Sequence, residues 1–205
     1  MHSKTLPKTT AKLLNKIRGA EFLKNFYLSG GTALSLQLGH RESEDLDFFN
    51  KKFFNSLLLQ QDIAKFGQLE DVQVSKGTLN LYLLEVKLQF LYYPYQLLEP
   101  TLKWKGINFS SVVDIGCTKL QTVSMRGSKK DFIDLYMIFK KYPLENLLAR
   151  LNEKYKGVDY NLHHILKSLV YFADAENQPM PRMHADIKWS EVKNELTKVV
   201  KDFAI

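Results

Sequence analysis

The stretch that most constrains this chain is a glycine pair, followed along the sequence by two aspartates that one residue separates. Gly30 and Gly31 come just after an apolar run that is typical of a short buried strand. Asp45 and Asp47 flank Leu46 at the start of a second apolar run. Because alternate side chains of a strand share a face, the two carboxylates are predicted to lie about 6–7 Å apart on one side, with Leu46 in the core.

The chemistry of such a pair points to a cation. Two neighbouring carboxylates repel each other, and a cation held between them removes that repulsion. Mg²⁺ suits the site because it binds one or two carboxylates together with substrate phosphate oxygens, and Mn²⁺ is the alternative. A glycine pair lets backbone N–H groups and the start of a helix approach phosphates. Together these parts predict phosphoryl or nucleotidyl transfer; the competing interpretation is an ordinary glycine turn and a solvated edge strand.

Composition narrows the class of protein. The 205 residues are 45% hydrophobic and 25% charged, which is typical of a soluble globular protein. The single cysteine excludes an intrachain disulfide framework and a cysteine-based zinc cluster. The single cysteine also fits a reducing, cytoplasmic setting. No apolar run is long enough to span a bilayer, so we expect no membrane partner. The formal net charge of +7 favours a polyanionic partner such as nucleic acid or a nucleotide.

The hydrophobic pattern predicts an α+β fold: a mixed β-sheet core of about five strands with flanking helices, followed by a helical C-terminal lobe. Tight turns are expected to join the later strands, which are predicted at residues 72–75, 78–83 and 86–92. Residues 94–108 are predicted to be a connecting segment. Asn55 is predicted to cap a helix that extends to about residue 66, and later helices are predicted at residues 116–125 and 162–174. We therefore divide the chain into a catalytic core at residues 1–95 and a mainly helical lobe at residues 96–205, which contributes to the cleft.

A second group of polar residues lies in the predicted helical region. Lys119 falls beside a buried apolar face at helical spacing, so we expect it on the rim of the cleft together with Arg126. There it can neutralise triphosphate charge, or it is a solvated surface residue. Asp131 and Asp134 lie one helical turn apart. Either Asp131 faces the cleft as a base or an orienting group, or both aspartates hold the basic residues through buried salt bridges.

The two polar groups, in this order, resemble the AbiEii/AbiGii toxin family. That family belongs to the nucleotidyltransferase superfamily with the DNA polymerase beta-like fold. The residues that carry the resemblance are Ser29, Gly30, Gly31, Thr32, Ala33, Leu34, Arg41, Ser43, residues 45–49, Lys119, residues 126–127 and residues 130–136. Weaker similarity extends over most of the chain, from about residue 22 to residue 189.

The resemblance implies an enzyme that transfers a nucleoside monophosphate from an NTP to an acceptor, with Asp45 and Asp47 holding Mg²⁺. It implies that Lys119 is the family's motif lysine and that Asp131 takes part in catalysis. It also implies a toxin of a toxin–antitoxin system, an RNA acceptor such as tRNA, and a cognate antitoxin protein. The nucleotide-binding residues that it indicates are Ser29, Gly30, Gly31, Thr32, Arg41, Ser43 and Lys119.

Two positions keep two interpretations, and one strand differs from the expected pattern. Ser29 donates to a phosphate or caps the following helix, and Arg41 contacts phosphates or braces the turn. The strand at residues 86–92 carries Lys87 and Gln89 where polymerase beta-like enzymes often hold a third carboxylate. That difference favours the alternative function, a catalytically inactive nucleotide- or protein-binding module on the same fold. A small-molecule nucleotidyltransferase of the antibiotic-modifying type shares the first group of residues but not the second.

Overall fold

A seven-stranded mixed β-sheet flanked by helices forms the body of the computed structural model, which describes residues 1–204. The strands are β1 (Tyr27–Ser29), β2 (Leu46–Asn50), β3 (Leu69–Ser75), β4 (Thr78–Leu83), β5 (Val86–Tyr92), β6 (Leu102–Trp104) and β7 (Ile107–Phe109). Across the sheet they follow the order β3-β4-β5-β2-β1-β7-β6. Residue 205, the last of the predicted helical lobe, lies outside the described residues.

The helices confirm the predicted α+β class and the helical C-terminal region. They are α1 (Lys8–Ile17), α2 (Gly30–Leu38), α3 (Ser56–Ala64), α4 (Val112–Met125), α5 (Lys129–Phe139), α6 (Leu144–Lys154), α7 (Leu162–Leu169), α8 (Ala173–Glu176) and α9 (Trp189–Ala204). Within residues 1–204, no helix combines the length and the apolar character that a membrane crossing requires.

The central strands place the glycine pair beside the aspartates. β1 and β2 pair antiparallel, with Ser29 opposite Asp47. β5 lies parallel to β2 on its other side, with Gln89 opposite Asp47. Leu46 and Phe48 are completely buried, so the predicted alternation along β2 is confirmed. The start of α2 therefore lies next to the polar face of β2.

The predicted tight turns and one predicted helix cap are confirmed. β3 and β4 are joined at residues 76–77. β4 and β5 are joined at Leu84 and Glu85, whose φ angles of 51° and 64° lie in the left-handed region that such hairpin turns require. Asn55 begins α3, because its side chain accepts hydrogen bonds from two backbone N–H groups of that helix.

The sheet has two more strands than the five that we predicted. β6 and β7 form a hairpin inside the supposed connecting segment, and β7 pairs parallel with β1. The turn between them uses Lys105 and Gly106, with φ angles of 49° and 82°. Each strand has only three residues, too few to show alternation in the sequence. The sheet thus continues past residue 95, and the division into a core and a lobe at that residue stays a prediction.

Two helical boundaries also differ from those predicted. α4 begins at Val112 rather than at Gly116, because the Ser111 side chain accepts a hydrogen bond from a backbone N–H of the first turn. The predicted helix over residues 162–174 is two helices, α7 and α8. Phe172 lies between them and packs edge-on against Trp189 of α9. This contact holds the segment between α7 and α8 against the apolar core.

Candidate active site

A cavity of about 400 Å³ lies between the polar face of β2 and β5 and the helices α4 and α5. It brings together most of the predicted site residues from both halves of the chain. The predicted residues that line it are Gly30, Gly31, Arg41, Ser43, Asp45, Asp47, Lys119 and Asp131. The glycine turn and the aspartate pair therefore share one cavity with the second polar group.

The aspartate pair is electrostatically unsatisfied. Within residues 1–204, neither the Asp45 nor the Asp47 carboxylate accepts a hydrogen bond or forms a salt bridge. Burial, together with the neighbouring Asp45 charge, raises the pKa of Asp47 to about 6 from its ordinary 3.8, although Lys119, Lys130 and Arg126 act to lower it. Two acceptor-only groups held together in this way fit a hard cation.

The protein supplies fewer ligands than a bound metal ion needs. In the part of the chain that the structure describes, no group of three or more His, Cys, Asp or Glu side chains could hold a metal ion. The wall beside Asp47 carries Lys87 and Gln89 of β5, neither of which is an acid. A Mg²⁺ ion at Asp45 and Asp47 would need phosphate or water oxygens for its remaining positions, which is the usual manner of magnesium binding in nucleotide sites.

The glycine turn fits tightly against the aspartates. Gly30 has a φ angle of +65°, and a Cβ atom on it would lie 2.3 Å from Oδ2 of Asp47. A Cβ atom on Gly31 would lie 2.6 Å from Nη2 of Arg41. Only a residue without a side chain lets the backbone take this conformation and approach the acid pair so closely.

Replacing Gly30 by alanine tests this fit. We expect Gly30→Ala to lower the free energy of unfolding by about 1–3 kcal/mol, because the new Cβ meets a carboxylate in a strained backbone conformation. Denaturation in urea measures this loss. Gly19→Ala is the matched control, since a Cβ there meets nothing within 4 Å. Equal unfolding free energies for the two variants would contradict the described geometry.

Two predicted nucleotide-binding residues lie behind the cavity wall. Ser29 is buried, its side chain does not cap α2, and its Oγ lies 2.9 Å from Oγ of Ser110, which donates to it. Thr32 donates a hydrogen bond to the backbone oxygen of Asp45 and lies 2.9 Å from Oγ of Ser43. Neither side chain lines the cavity. Thr32 holds the segment that carries the acids, and Ser29 holds the end of β1 to the residue that follows β7, so the structure gives both a supporting position.

Lys119 is buried, and our prediction that it lies on the rim was wrong. Its Nζ lies 2.6 Å from Oδ1 of Asp131 and 2.6 Å from Oδ2 of Asp134. Arg41 is buried as well, and its Nε and Nη2 donate to the two oxygens of Asp134 at 2.7 Å. We call these four side chains the buried ion cluster. Arg126 does lie on the rim, with 64% of its side chain exposed and Nε 3.3 Å from Asp131.

The charges of the buried ion cluster stabilise one another. Burial alone would raise the pKa of Asp134, but Arg41 and Lys119 hold it well below its ordinary value. Burial alone would lower the pKa of Lys119, but Asp134 and Asp131 raise it above its ordinary value. These contacts give Arg41 a bracing position and Asp134 a structural one. His40 joins the cluster with Nε2 2.7 Å from Asp134, and its isolated position in the sequence gave no signal of this.

The chain is similar to known proteins over almost its whole length. The family described as "Nucleotidyl transferase AbiEii toxin, Type IV TA system" matches residues 12–80. An uncharacterized protein of Aquifex aeolicus (strain VF5) is 36% identical over 206 residues, which cover 97% of each chain. Among solved structures, JHP933 from Helicobacter pylori has a TM-score of 0.52 at 20% identity, covering 98% of this chain and 89% of that one.

A second solved structure extends the fold comparison. MenT4, a nucleotidyltransferase toxin from Mycobacterium tuberculosis H37Rv, has a TM-score of 0.53 at 15% identity and covers 98% of this chain and 87% of its own. At such identities the structures show a shared fold, here the nucleotidyltransferase sheet with its helices. The family match over residues 12–80 includes both the glycine turn and the aspartate pair. The chain carries, over residues 12–80, the domain of the AbiEii nucleotidyltransferase toxin family.

Proposed function

We propose that this protein transfers a nucleoside monophosphate from an NTP to an acceptor and releases pyrophosphate. One observation carries the proposal. The pairing of Ser29 with Asp47 holds the glycine turn against two unsatisfied carboxylates in a cavity of about 400 Å³. A phosphate-accepting turn beside an acid pair is the arrangement that nucleotidyl transfer requires.

Asp45 and Asp47 are proposed to hold Mg²⁺, with Mn²⁺ as the alternative ion. Their carboxylates have no other partner in residues 1–204, and the pKa of Asp47 is raised first by burial and then by the neighbouring Asp45 charge. A divalent ion bound there would supply charge neutralisation at the transferred phosphoryl group. Gly30 and Gly31 are proposed to place backbone N–H groups of the first turn of α2 against the triphosphate.

The contacts change the role that we propose for Lys119. The charge of its ammonium group is compensated by Asp131 and Asp134, so the main role that we propose for Lys119 is to hold Asp131 at the cavity wall. Of the roles predicted for Asp131, these contacts support the one in which the two aspartates hold basic residues through buried salt bridges. Arg126 and Lys130 line the cavity without burial and are proposed to meet the phosphate charge. Ser43 completes the wall next to the aspartates as a hydroxyl donor.

The proposed acceptor is the end of an RNA, with tRNA as the first candidate. The net charge of +7 supports a polyanionic acceptor. As a member of a toxin family, the protein is also proposed to act in the cytoplasm and to have a cognate antitoxin protein. Expression of the neighbouring gene together with this one, followed by a growth assay, checks the antitoxin.

The transfer proposal is tested by incubating the protein with each of the four α-³²P-labelled NTPs, Mg²⁺ and total RNA. We expect label to enter RNA with at least one NTP, and EDTA to abolish the transfer. Pyrophosphate release, measured in parallel, should match the amount of label transferred. If none of the four NTPs labelled either RNA or protein, the catalytic proposal would be wrong.

The second candidate function is the inactive binding module. Lys87 and Gln89 favour it, because they lie on the strand beside Asp47 where a third acid would complete a two-metal site. Titration calorimetry separates the two functions. An inactive module takes up an NTP with Mg²⁺ and returns it unchanged, whereas the enzyme releases pyrophosphate once an acceptor is added.

A further inference from the structure

The sheet continues beyond the cavity as a polar, accessible face. On β4, Leu79 and Leu81 are buried on the side where α1 and α3 pack, whereas Asn80 and Tyr82 turn to the opposite side. Tyr82 is 37% exposed and is the aromatic side chain of this strand. Asp47 lies on the same side of the sheet as Asn80 and Tyr82, so this polar face begins at the candidate active site.

A row of amides crosses this face from the catalytic strand. Asp47 lies opposite Gln89, Gln89 opposite Asn80, and Asn80 opposite Gln73, each on the next strand of the sheet. Neighbouring strands lie about 4.8 Å apart, so the row spans about 14 Å. Nε2 of Gln89 donates to Oδ1 of Asn80 at 3.1 Å, which leaves further amide groups available to a ligand. Amides of this kind hydrogen-bond the edges of nucleobases.

A cation and an aromatic ring lie beside the amide row. Lys87 of β5 is directly opposite Tyr82 of β4. Lys87 lines the cavity and also a shallow groove of about 500 Å³ that passes over Asn80, Tyr82 and Gln73. Within residues 1–204 the Lys87 ammonium has no salt bridge. The groove and the cavity therefore adjoin at Lys87, which lines both.

We propose that this face binds the single-stranded end of the nucleic-acid acceptor and directs it to Asp47. We call Gln73, Asn80, Tyr82, Lys87 and Gln89 the sheet track. The inference rests on the proposed transfer function and identifies the surface that its acceptor would use. A stacking ring, a row of amides and one unpaired cation match the base faces, base edges and phosphates of a single strand.

The charges around the sheet track set its length. Asp71 lines the far end of the groove, and Glu70 lies beside it on β3. These carboxylates repel phosphates, so the favourable part of the track ends at about β4. From Asp47 to Asn80 of β4 this favourable part covers two strand spacings, about 10 Å, so the track holds only the last nucleotides of the strand next to the transfer site. A protein partner would instead favour a contiguous apolar surface, which this polar face does not offer.

The experiment measures binding of a fluorescein-labelled single-stranded RNA hexanucleotide by anisotropy over a range of salt concentrations. We expect Tyr82→Ala to weaken binding about tenfold through loss of stacking, without changing the salt dependence. We expect Lys87→Ala to weaken binding and to reduce the slope of log K against log salt by about 0.7, the value for one lost phosphate contact. The two variants thus leave different signatures.

Conservative variants and distant controls make the result specific. Tyr82→Phe keeps the ring and Lys87→Arg keeps the charge, so both should bind as the wild type does. Tyr171→Ala and Lys12→Ala change an exposed tyrosine and an exposed lysine outside the track and should have no effect. Wild-type affinity in both Tyr82→Ala and Lys87→Ala would overturn the proposal. So would failure of the wild type to bind the RNA, which would point to a protein or small-molecule acceptor.

The measurement is independent of the transfer reaction, because it uses no NTP. If the transfer assay fails but the two variants show their separate signatures, the sheet track stands and the catalytic proposal falls. If transfer occurs but neither variant affects RNA binding, the track is wrong and the enzyme stands. NTP binding to Tyr82→Ala, measured by calorimetry, should equal that of the wild type, since Tyr82 does not line the cavity.

Discussion

Asp47→Asn should lower nucleotidyl transfer by about a thousandfold. The asparagine keeps the size of the side chain but removes one of the two charges proposed to hold the divalent ion. Bound metal contributes several kcal/mol of charge stabilisation to a transition state, and each 1.36 kcal/mol corresponds to a factor of ten in rate. Initial rates of label transfer at saturating NTP and Mg²⁺ measure the loss.

The same change should stabilise the metal-free protein. The pKa of Asp47 is raised to about 6 by burial and by Asp45, so the charged form is disfavoured in the folded state. A carboxyl group whose pKa is raised on folding stabilises the folded state at pH values below its pKa of 3.8 in the unfolded chain. That contribution to stability is lost as the pH rises through 6. At pH 8 in EDTA we therefore expect the free energy of unfolding of Asp47→Asn to exceed that of the wild type by about 2 kcal/mol.

Urea denaturation at pH 5 and pH 8, with and without Mg²⁺, checks this linkage. The advantage of the variant should be smaller at pH 5, and Mg²⁺ should stabilise the wild type only. Asp62→Asn, which changes an exposed carboxylate on α3, serves as the control for both rate and stability. A wild type that Mg²⁺ leaves unchanged, together with an active Asp47→Asn variant, would remove the acid pair from the mechanism.

Asp134→Asn should destabilise the fold by about 3–5 kcal/mol, the usual effect of removing one partner from a buried ion pair. Asp134 is completely buried and contacts Lys119 and Arg41, each of which would lose a compensating charge. The pKa of Asp134 is depressed by these cations, so its contribution is present above the ordinary carboxyl pKa and is lost as the pH falls through the depressed one.

Equilibrium unfolding in urea at pH 7 measures the loss in the free energy of unfolding. The difference between Asp134→Asn and the wild type should be smaller in acid. Glu21→Gln breaks an exposed pair with Lys24 and should change stability little. The double variant Arg41→Met with Asp134→Asn should lose less free energy of unfolding than the two single variants added together. Each single change leaves a buried charge without its partner, whereas the double change removes both charges. A loss below about 1 kcal/mol for Asp134→Asn would show that the ion cluster is not buried in solution.

Local pattern was enough to predict the part of the site that lies within one short stretch. The turn at Gly30, the strand that begins at Leu46 and the common face of the two aspartates depend on neighbouring residues, so periodicity and glycine placement identify them. The hairpins around β4 follow from turn chemistry in the same way. These elements are fixed by interactions over a few residues, which the sequence displays directly.

The remaining features depend on contacts between distant parts of the chain. Arg41 and Asp134 are 93 residues apart, and their pairing decides that Arg41 braces the turn. Lys119 is buried because two aspartates of the next helix compensate it, which helical spacing alone does not reveal. The hairpin of β6 and β7 escaped prediction because its strands have three residues each, and its place in the sheet depends on the pairing of β7 with β1, which comes much earlier in the chain.

The parallel contact between β1 and β7 bears on how such proteins can evolve by recombination. Leu28 pairs with Phe109, so a chain cut after residue 95 would leave the edge of β1 without its neighbouring strand. The same cut would leave the Arg41 guanidinium in the interior without its counter-ion, because Asp134 lies on the other piece. We therefore expect that the two halves of this protein are inherited together and cannot be exchanged separately with those of a distant homologue.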